Sequence, residues 1–163
     1  MRLSNDNLIF LKENFERKWC VSHDYSRDYC WYDSDFQRSC KSDEMYIDEC
    51  GDTSYQQEFE LIEFGNREAL IKVAEQDRCW TRRGEIVKLE PCDYTGRFDR
   101  QIFYAKNGDF NDNRFEISQP RNSDDCVTTH HHPKAREVVQ MDSCGAARSH
   151  TSNYWRMDPT GWI

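Results

Sequence analysis

Val87-Lys88-Leu89-Glu90-Pro91-Cys92, followed by Phe103 eleven residues past the cysteine, is one of three similar stretches in this chain. Val139-Gln140-Met141-Asp142-Ser143-Cys144 has Trp155 at the same distance, and Met45-Tyr46-Ile47-Asp48-Glu49-Cys50 has Phe59 nine residues on. Each reads apolar, polar, apolar, acidic, any residue, cysteine, then an aromatic. A two-residue alternation belongs to a strand with one buried face. Three copies in order imply three similar supersecondary units.

Working outward, each copy is preceded by a second cysteine and a short apolar run. Leu8-Ile9-Phe10-Leu11-Lys12 leads to Trp19-Cys20, Ala69-Leu70-Ile71-Lys72-Val73 to Cys79-Trp80, and Arg114-Phe115-Glu116-Ile117 to Cys126-Val127. Asn107-Gly108 is a strong turn signal between the second and third units. The nearest approach to a helical period, Phe15 to Trp19, is short. Many short strands at similar spacing point to an all-β closed architecture of three four-stranded repeats, roughly residues 7–67, 68–113 and 114–163 of a single domain spanning 1–163.

The bounds agree. A chain of 163 residues buries roughly two-thirds of its unfolded surface as one domain. Its mean hydropathy is low, yet 13% of the residues are aromatic, which is unlike a disordered chain. With 22 Lys and Arg against 30 Asp and Glu, the net charge of -8 opposes binding to a phosphate backbone, so no nucleic-acid partner is expected. Eight cysteines without a CxxC pair suggest a disulfide framework, and with it an oxidising compartment. Met1 to Asn7 carries no apolar signal core, and no run approaches a membrane span. Either the cysteines are reduced or a targeting segment is absent from this chain; the second is the expectation, with a secreted or organelle-lumenal location.

The unit Cys79…Val87-Lys-Leu89-Glu-Pro-Cys92…Gln101-Ile-Phe103 resembles the repeat of ricin-type β-trefoil lectin domains, and the resemblance covers nearly the whole chain. Gln57-Glu58-Phe59 and Gln101-Ile102-Phe103 hold Phe where that family's Gln-x-Trp motif has Trp; Asn153-Tyr154-Trp155 keeps Trp and loses Gln. The resemblance implies a β-trefoil with intra-repeat disulfides Cys79–Cys92 and Cys126–Cys144. In the same register it implies Cys20–Cys50, leaving Cys30–Cys40 to close a loop inserted at residues 21–44. Eight cysteines allow many other connectivities. In a trefoil the repeated apolar positions pack on a common axis, which puts Met45, Ile47, Phe59, Val87, Leu89, Phe103, Val139, Met141 and Trp155 in the core.

Galactose-binding members of the family hold sugar with an Asp two residues after the first cysteine, an aromatic two before the second, and an Asn before the Gln-x-Trp. Here the Asp position holds Ser22, Thr81 and Thr128; the aromatic position holds Asp48, Glu90 and Asp142; the Asn position holds Gln56, Arg100 and Ser152. Without a stacking ring or a charged acceptor, the galactose site is expected to be absent. Gln57, Gln101 and Asn153 remain as candidate binding residues, although a side chain bonded to a neighbouring loop backbone explains them equally. In the inserted loop, Tyr25, Tyr29, Trp31, Tyr32 and Phe36 lie among acids and offer a recognition surface for sugar or protein; packing of the loop is the competing explanation.

Other constellations carry less. Adjacent His130, His131 and His132 cannot all reach one ion, even with Asp124 or Asp125, and Asn107 to Asn113 lacks the bidentate Glu of a calcium loop. No metal or cofactor is expected. There is no GxSxG, phosphate-cradling glycine loop or HExxH. The expectation is therefore a non-catalytic module serving as an interaction or structural subunit, the alternative being a lectin with a site unlike the galactose type.

Overall fold

A computed structural model of the chain describes residues 8–13, 19–23, 30–32, 34–35, 38–40, 44–49, 57–112, 114–119, 124–130, 137–144, 151–152 and 154–159. Among them the elements are strands, apart from a 3-10 turn at Asp99–Gln101. The strands are β1 (Leu8–Glu13), β2 (Trp19–Ser22), β3 (Cys30–Tyr32), β4 (Arg38–Cys40), β5 (Tyr46–Glu49), β6 (Phe59–Gly65), β7 (Glu68–Val73) and β8 (Arg78–Arg83). They continue with β9 (Ile86–Pro91), β10 (Phe103–Lys106), β11 (Phe115–Ser118), β12 (Asp125–His130), β13 (Gln140–Ser143), β14 (Thr151–Ser152) and β15 (Tyr154–Pro159).

Six of these strands close a ring. β1 pairs with β6 at Ile9↔Phe59, β6 with β7 at Glu60↔Lys72, and β7 with β10 at Phe103↔Ala69. β10 pairs with β11 at Ala105↔Ile117, β11 with β15 at Phe115↔Trp155, and β15 returns to β1 at Leu11↔Met157. Closure leaves the ring without free edges, which is how an all-β chain avoids pairing with its neighbours. The three aromatics that follow the cysteine motifs occupy matching registers in it, opposite Ile9, Ala69 and Phe115.

Three hairpins cap the barrel: β2–β5, β8–β9 and β12–β13. They meet pairwise, through Glu44↔Lys88, Tyr46↔Val138 and Gln140↔Ile86. Main-chain bonds tie the repeated motifs together there: Met45 N–H donates to the Val87 carbonyl at 3.0 Å, and Val139 N–H to the Met45 carbonyl at 2.8 Å. This is the β-trefoil arrangement, a six-stranded barrel with three hairpins about a pseudo-threefold axis.

All nine apolar positions expected on that axis belong to one buried cluster. On β9 and β10 burial alternates as the sequence does, with Val87, Leu89, Phe103 and Ala105 inward. One residue breaks the threefold rule. Trp80 follows the first cysteine of its unit, where the other units have Val21 and Val127, and it is fully buried. Its ring meets Phe59 and Phe103 edge-on, with centroids 5.5 and 5.9 Å away. In the third unit the bulk is transposed: Trp155 takes the Phe position, and its indole N–H donates to the Val127 carbonyl at 3.0 Å. The indole thus stands after the first cysteine in the second unit, beside Phe103, and at the aromatic position in the third, beside Val127, and both sets are fully buried.

The disulfides Cys79–Cys92 and Cys126–Cys144 join the first and second cysteines of the second and third units. Cys20 is disulfide-bonded as well; Cys50, which the register assigns to it, lies outside the described residues. Within the inserted loop, β3 and β4 form a separate small hairpin in which Cys30 and Cys40 are register partners. No helix among the described residues is long and apolar enough to cross a membrane.

Candidate functional site

The polar residues that stand at the sugar-holding positions lie within reach of the hairpins, so the site is built from them. In the second unit the Thr81 hydroxyl donates to the Cys79 carbonyl at 3.1 Å. Gln101, fully buried, donates from Nε2 to the Pro91 carbonyl at 2.8 Å and to Thr81 Oγ1 at 3.0 Å, while its Oε1 accepts the Asp93 N–H at 2.8 Å. The first unit repeats the pattern. Ser22 Oγ donates to the Cys20 carbonyl at 3.2 Å; Gln57 Nε2 donates to the Glu49 carbonyl at 2.9 Å and to Ser22 Oγ at 3.0 Å. In the third, Thr128 Oγ1 donates to the Gln140 carbonyl at 3.3 Å. A buried polar group must find partners, and each glutamine finds them in its own unit, clasping the end of its hairpin to the strand that follows.

The aromatic position of the second unit carries Glu90, and its carboxylate is bound by a cation. Arg83 Nε donates to Oε2 at 2.6 Å and Nη2 to Oε1 at 2.5 Å, and the guanidinium lies 5.8 Å from the centre of the Phe98 ring. The hydrogen bonds from Arg83 hold the Glu90 carboxyl below the usual range, and those same bonds to Glu90 push the Arg83 guanidinium further up. Where a sugar would need an apolar platform, this unit presents a two-pronged ion pair. Asp48 and Asp142 instead accept the N–H groups of Glu49 and Ser143, at 2.9 and 2.7 Å.

The loop from Cys92 to Gln101 is rigidly pinned. Asp93 Oδ1 accepts both the N–H and the hydroxyl of Thr95, at 2.9 and 2.6 Å, which lowers its pKa. Thr95 Oγ1 in turn accepts the Arg97 N–H at 3.2 Å. The loop leaves Tyr94 half exposed, and its hydroxyl donates to Asp77 Oδ1.

Of the candidates named from sequence, then, Gln57 and Gln101 stand in the frame of their hairpins. Tyr25, Tyr29, Phe36 and Asn153 lie outside the described residues, and Trp31 and Tyr32 are placed only as backbone of β3. His131 and His132 also lie outside them. Asp125 is ion-paired with Arg82 at 3.1 Å, and Asp124 accepts the Ser143 hydroxyl at 3.0 Å. Between the second and third units, Asp109 is paired with Arg67 at 2.7 Å, and Asp112 accepts the Asp109 N–H at 2.8 Å. Glu116, Cys126 and Cys144 bring three potential metal donors together among the described residues, but both sulfurs are joined to each other.

Sequence reasoning missed the buried pair of Lys72 and Glu60, 3.7 Å apart on neighbouring barrel strands, with Lys72 Nζ also donating to the Val73 carbonyl at 3.0 Å. It also passed over the Tyr94–Asp77 pair, whose signal is positional: each lies two residues outside a cysteine of the bonded pair Cys79–Cys92.

No protein-family model matches the chain, and no curated protein matches it. Solved structures do. A chain of the Haemophilus ducreyi cytolethal distending toxin superposes with a TM-score of 0.70 at 12% identity, covering 98% of this chain and 87% of that one. A chain of the Actinobacillus actinomycetemcomitans cytolethal distending toxin gives 0.70 at 13% identity, covering 99% and 97%. The Polyporus squamosus lectin gives 0.62 at 10% identity over 96% of this chain and 50% of that one. At such identities the likeness establishes the fold alone, and the fold is an all-β trefoil.

Proposed function

We propose that this chain is a non-catalytic β-trefoil binding module, an interaction or structural subunit docked onto a protein partner in a secreted or lumenal assembly. One observation carries the reading: Thr81 and Ser22, at two of the positions that would hold galactose, are engaged by the buried glutamines of their own units, Gln101 and Gln57, which also bond the Pro91 and Glu49 carbonyls. What remains for recognition is surface outside those positions. The inserted loop, with Tyr25, Tyr29, Trp31, Tyr32 and Phe36, has the aromatic composition of interface anchors. Fold analogy supports binding without fixing its object, and the chains on which this one superposes include those of two cytolethal distending toxins. The disulfides favour an oxidising compartment.

The test replaces residues 26–38 by a short Gly-Ser bridge, with Cys40→Ser so that no thiol is left unpaired, and compares complex formation with the intact chain in its native fluid, by size-exclusion chromatography with cross-linking. A stoichiometric complex lost in the variant supports the reading. A complex that survives the deletion refutes docking by the loop.

A second reading, carbohydrate binding at a site unlike the galactose type, is favoured by one specific observation: a half-exposed tyrosine ring held beside a carboxylate on a pinned loop. The Polyporus squamosus lectin was solved bound to a sialylated glycan, so a protein that carries a fold of this kind accommodates sugar.

A further inference from the structure

We propose that Tyr94 and Asp77 form a subsite for a neutral pyranose sugar, lying across the Cys79–Cys92 bridge from the altered galactose positions; this deepens the carbohydrate reading and rests on it. The geometry begins with the bridge. β8 and β9 pair with Cys79 opposite Glu90 and Arg78 opposite Pro91, so Thr81 and Glu90 stand on the ladder side of the disulfide. Asp77, two residues before Cys79, and Tyr94, two after Cys92, lie just beyond the ladder's other end, where their side chains are bonded to each other.

Two of the three things a sugar requires are therefore present. Tyr94, 51% exposed, supplies a ring face for the apolar C–H side of a pyranose. The exposed Asp77 carboxylate, oriented by the phenol, supplies acceptors for hydroxyl groups. The third requirement is rigidity, since a shallow site cannot offset much ordering entropy. The Asp93–Thr95–Arg97 bonds and the Gln101 clasp provide it. Phe64, the other large apolar residue exposed among those described, extends the apolar surface: it lies against Gly96, about which a Cβ would meet the Phe64 ring at 3.6 Å.

The pair is not part of what the fold needs. The equivalent positions are Lys18 and Asp52 in the first unit and Asp124 and Ala146 in the third. Neither provides a ring, so the trefoil frame is built twice without this arrangement. A neutral ligand fits better than an anionic one, because Asp77 and Asp93 stand at the site and the whole chain carries -8.

Saturation-transfer NMR on the oxidised full chain tests this with glucose, mannose, galactose, N-acetylglucosamine and their disaccharides, with sialyllactose as the anionic comparison. Tyr94→Ala and Asp77→Asn should each weaken binding of a neutral sugar about tenfold or more, while Tyr94→Phe keeps the ring and most of the affinity. Thermal melts of all three confirm that the fold is retained. A neutral sugar bound equally well by Tyr94→Ala overturns this subsite and leaves the carbohydrate reading standing. Binding of sialyllactose alone overturns the neutral ligand. Failure of every sugar overturns the carbohydrate reading together with the subsite.

Discussion

Replacing Gln101 by Ala separates a framework role from a ligand-binding one. The side chain is fully buried and makes three hydrogen bonds, to the Pro91 carbonyl, Thr81 Oγ1 and the Asp93 N–H. Truncation orphans two main-chain groups at the hairpin end, and an unsatisfied buried group costs about 1–3 kcal/mol. Water reaches Pro91 and Asp93, which are not fully covered, so the lower end applies to each. Adding the lost packing of the side chain gives about 2–4 kcal/mol in total. Urea unfolding with the disulfides intact measures it, the midpoint falling at unchanged m. Gln57→Ala should behave alike, because Gln57 repeats the geometry against Glu49 and Ser22. A loss below about 0.5 kcal/mol for Gln101→Ala, in the range of ordinary surface changes, would refute the framework role.

Further outcomes follow from the core and its charges. Phe103→Ala should destabilise by roughly 3–5 kcal/mol. Phe103→Trp alone should overpack against Trp80, whereas Phe103→Trp with Trp80→Val reproduces the third unit's arrangement; a double-mutant cycle without favourable coupling contradicts the transposition of bulk. Lys72→Met removes the cation that faces the buried Glu60 carboxylate and should cost about 3–5 kcal/mol, most of it recovered by adding Glu60→Leu; a double-variant loss equal to the sum of the two single losses would show that the pair is not coupled. Because Arg83 depresses the Glu90 pKa, the contribution of that ion pair is complete above the ordinary glutamate range and fades as the pH falls through the native value. Glu58 works in the opposite sense: burial, and then Glu75, raise its pKa, so its contribution is present at low pH and lost as the pH rises through the native value. Arg83→Ala should therefore remove the acid-side part of the stability profile that Glu90 supplies, and an unchanged profile counts against it.

Much of the fold was legible in the sequence because the hairpins are amphipathic. Val87 and Leu89 alternate with Lys88 and Glu90, so the buried face can be read directly, and three copies in register imply the axis. β7 is harder to read. From Ala69 to Val73 every residue is buried, Leu70 packing outward with Ile62 and Cys79 in a second small cluster, so two-residue alternation disappears and Lys72 looks like a solvent residue. Only the register against Glu60 reveals the pairing. Trp80 escaped for a different reason: the repeat motif ends at the cysteines, and the transposition between Trp80 and Trp155 becomes visible only when volumes at two positions are compared together. As for the site, the altered galactose positions were plain from residue types alone. The Tyr94–Asp77 pair was not, since it joins two positions outside the motif that meet only once β8 and β9 are zipped and the bridge is closed.

The central claim, a barrel closed by three equivalent joints, is tested most directly by interstrand NOEs on the isotope-labelled protein. Backbone contacts are expected at all three joints, Ile9 with Phe59, Ala69 with Phe103 and Phe115 with Trp155. Contacts at two joints with none between β1 and β6 would mean an open sheet, and would contradict the trefoil.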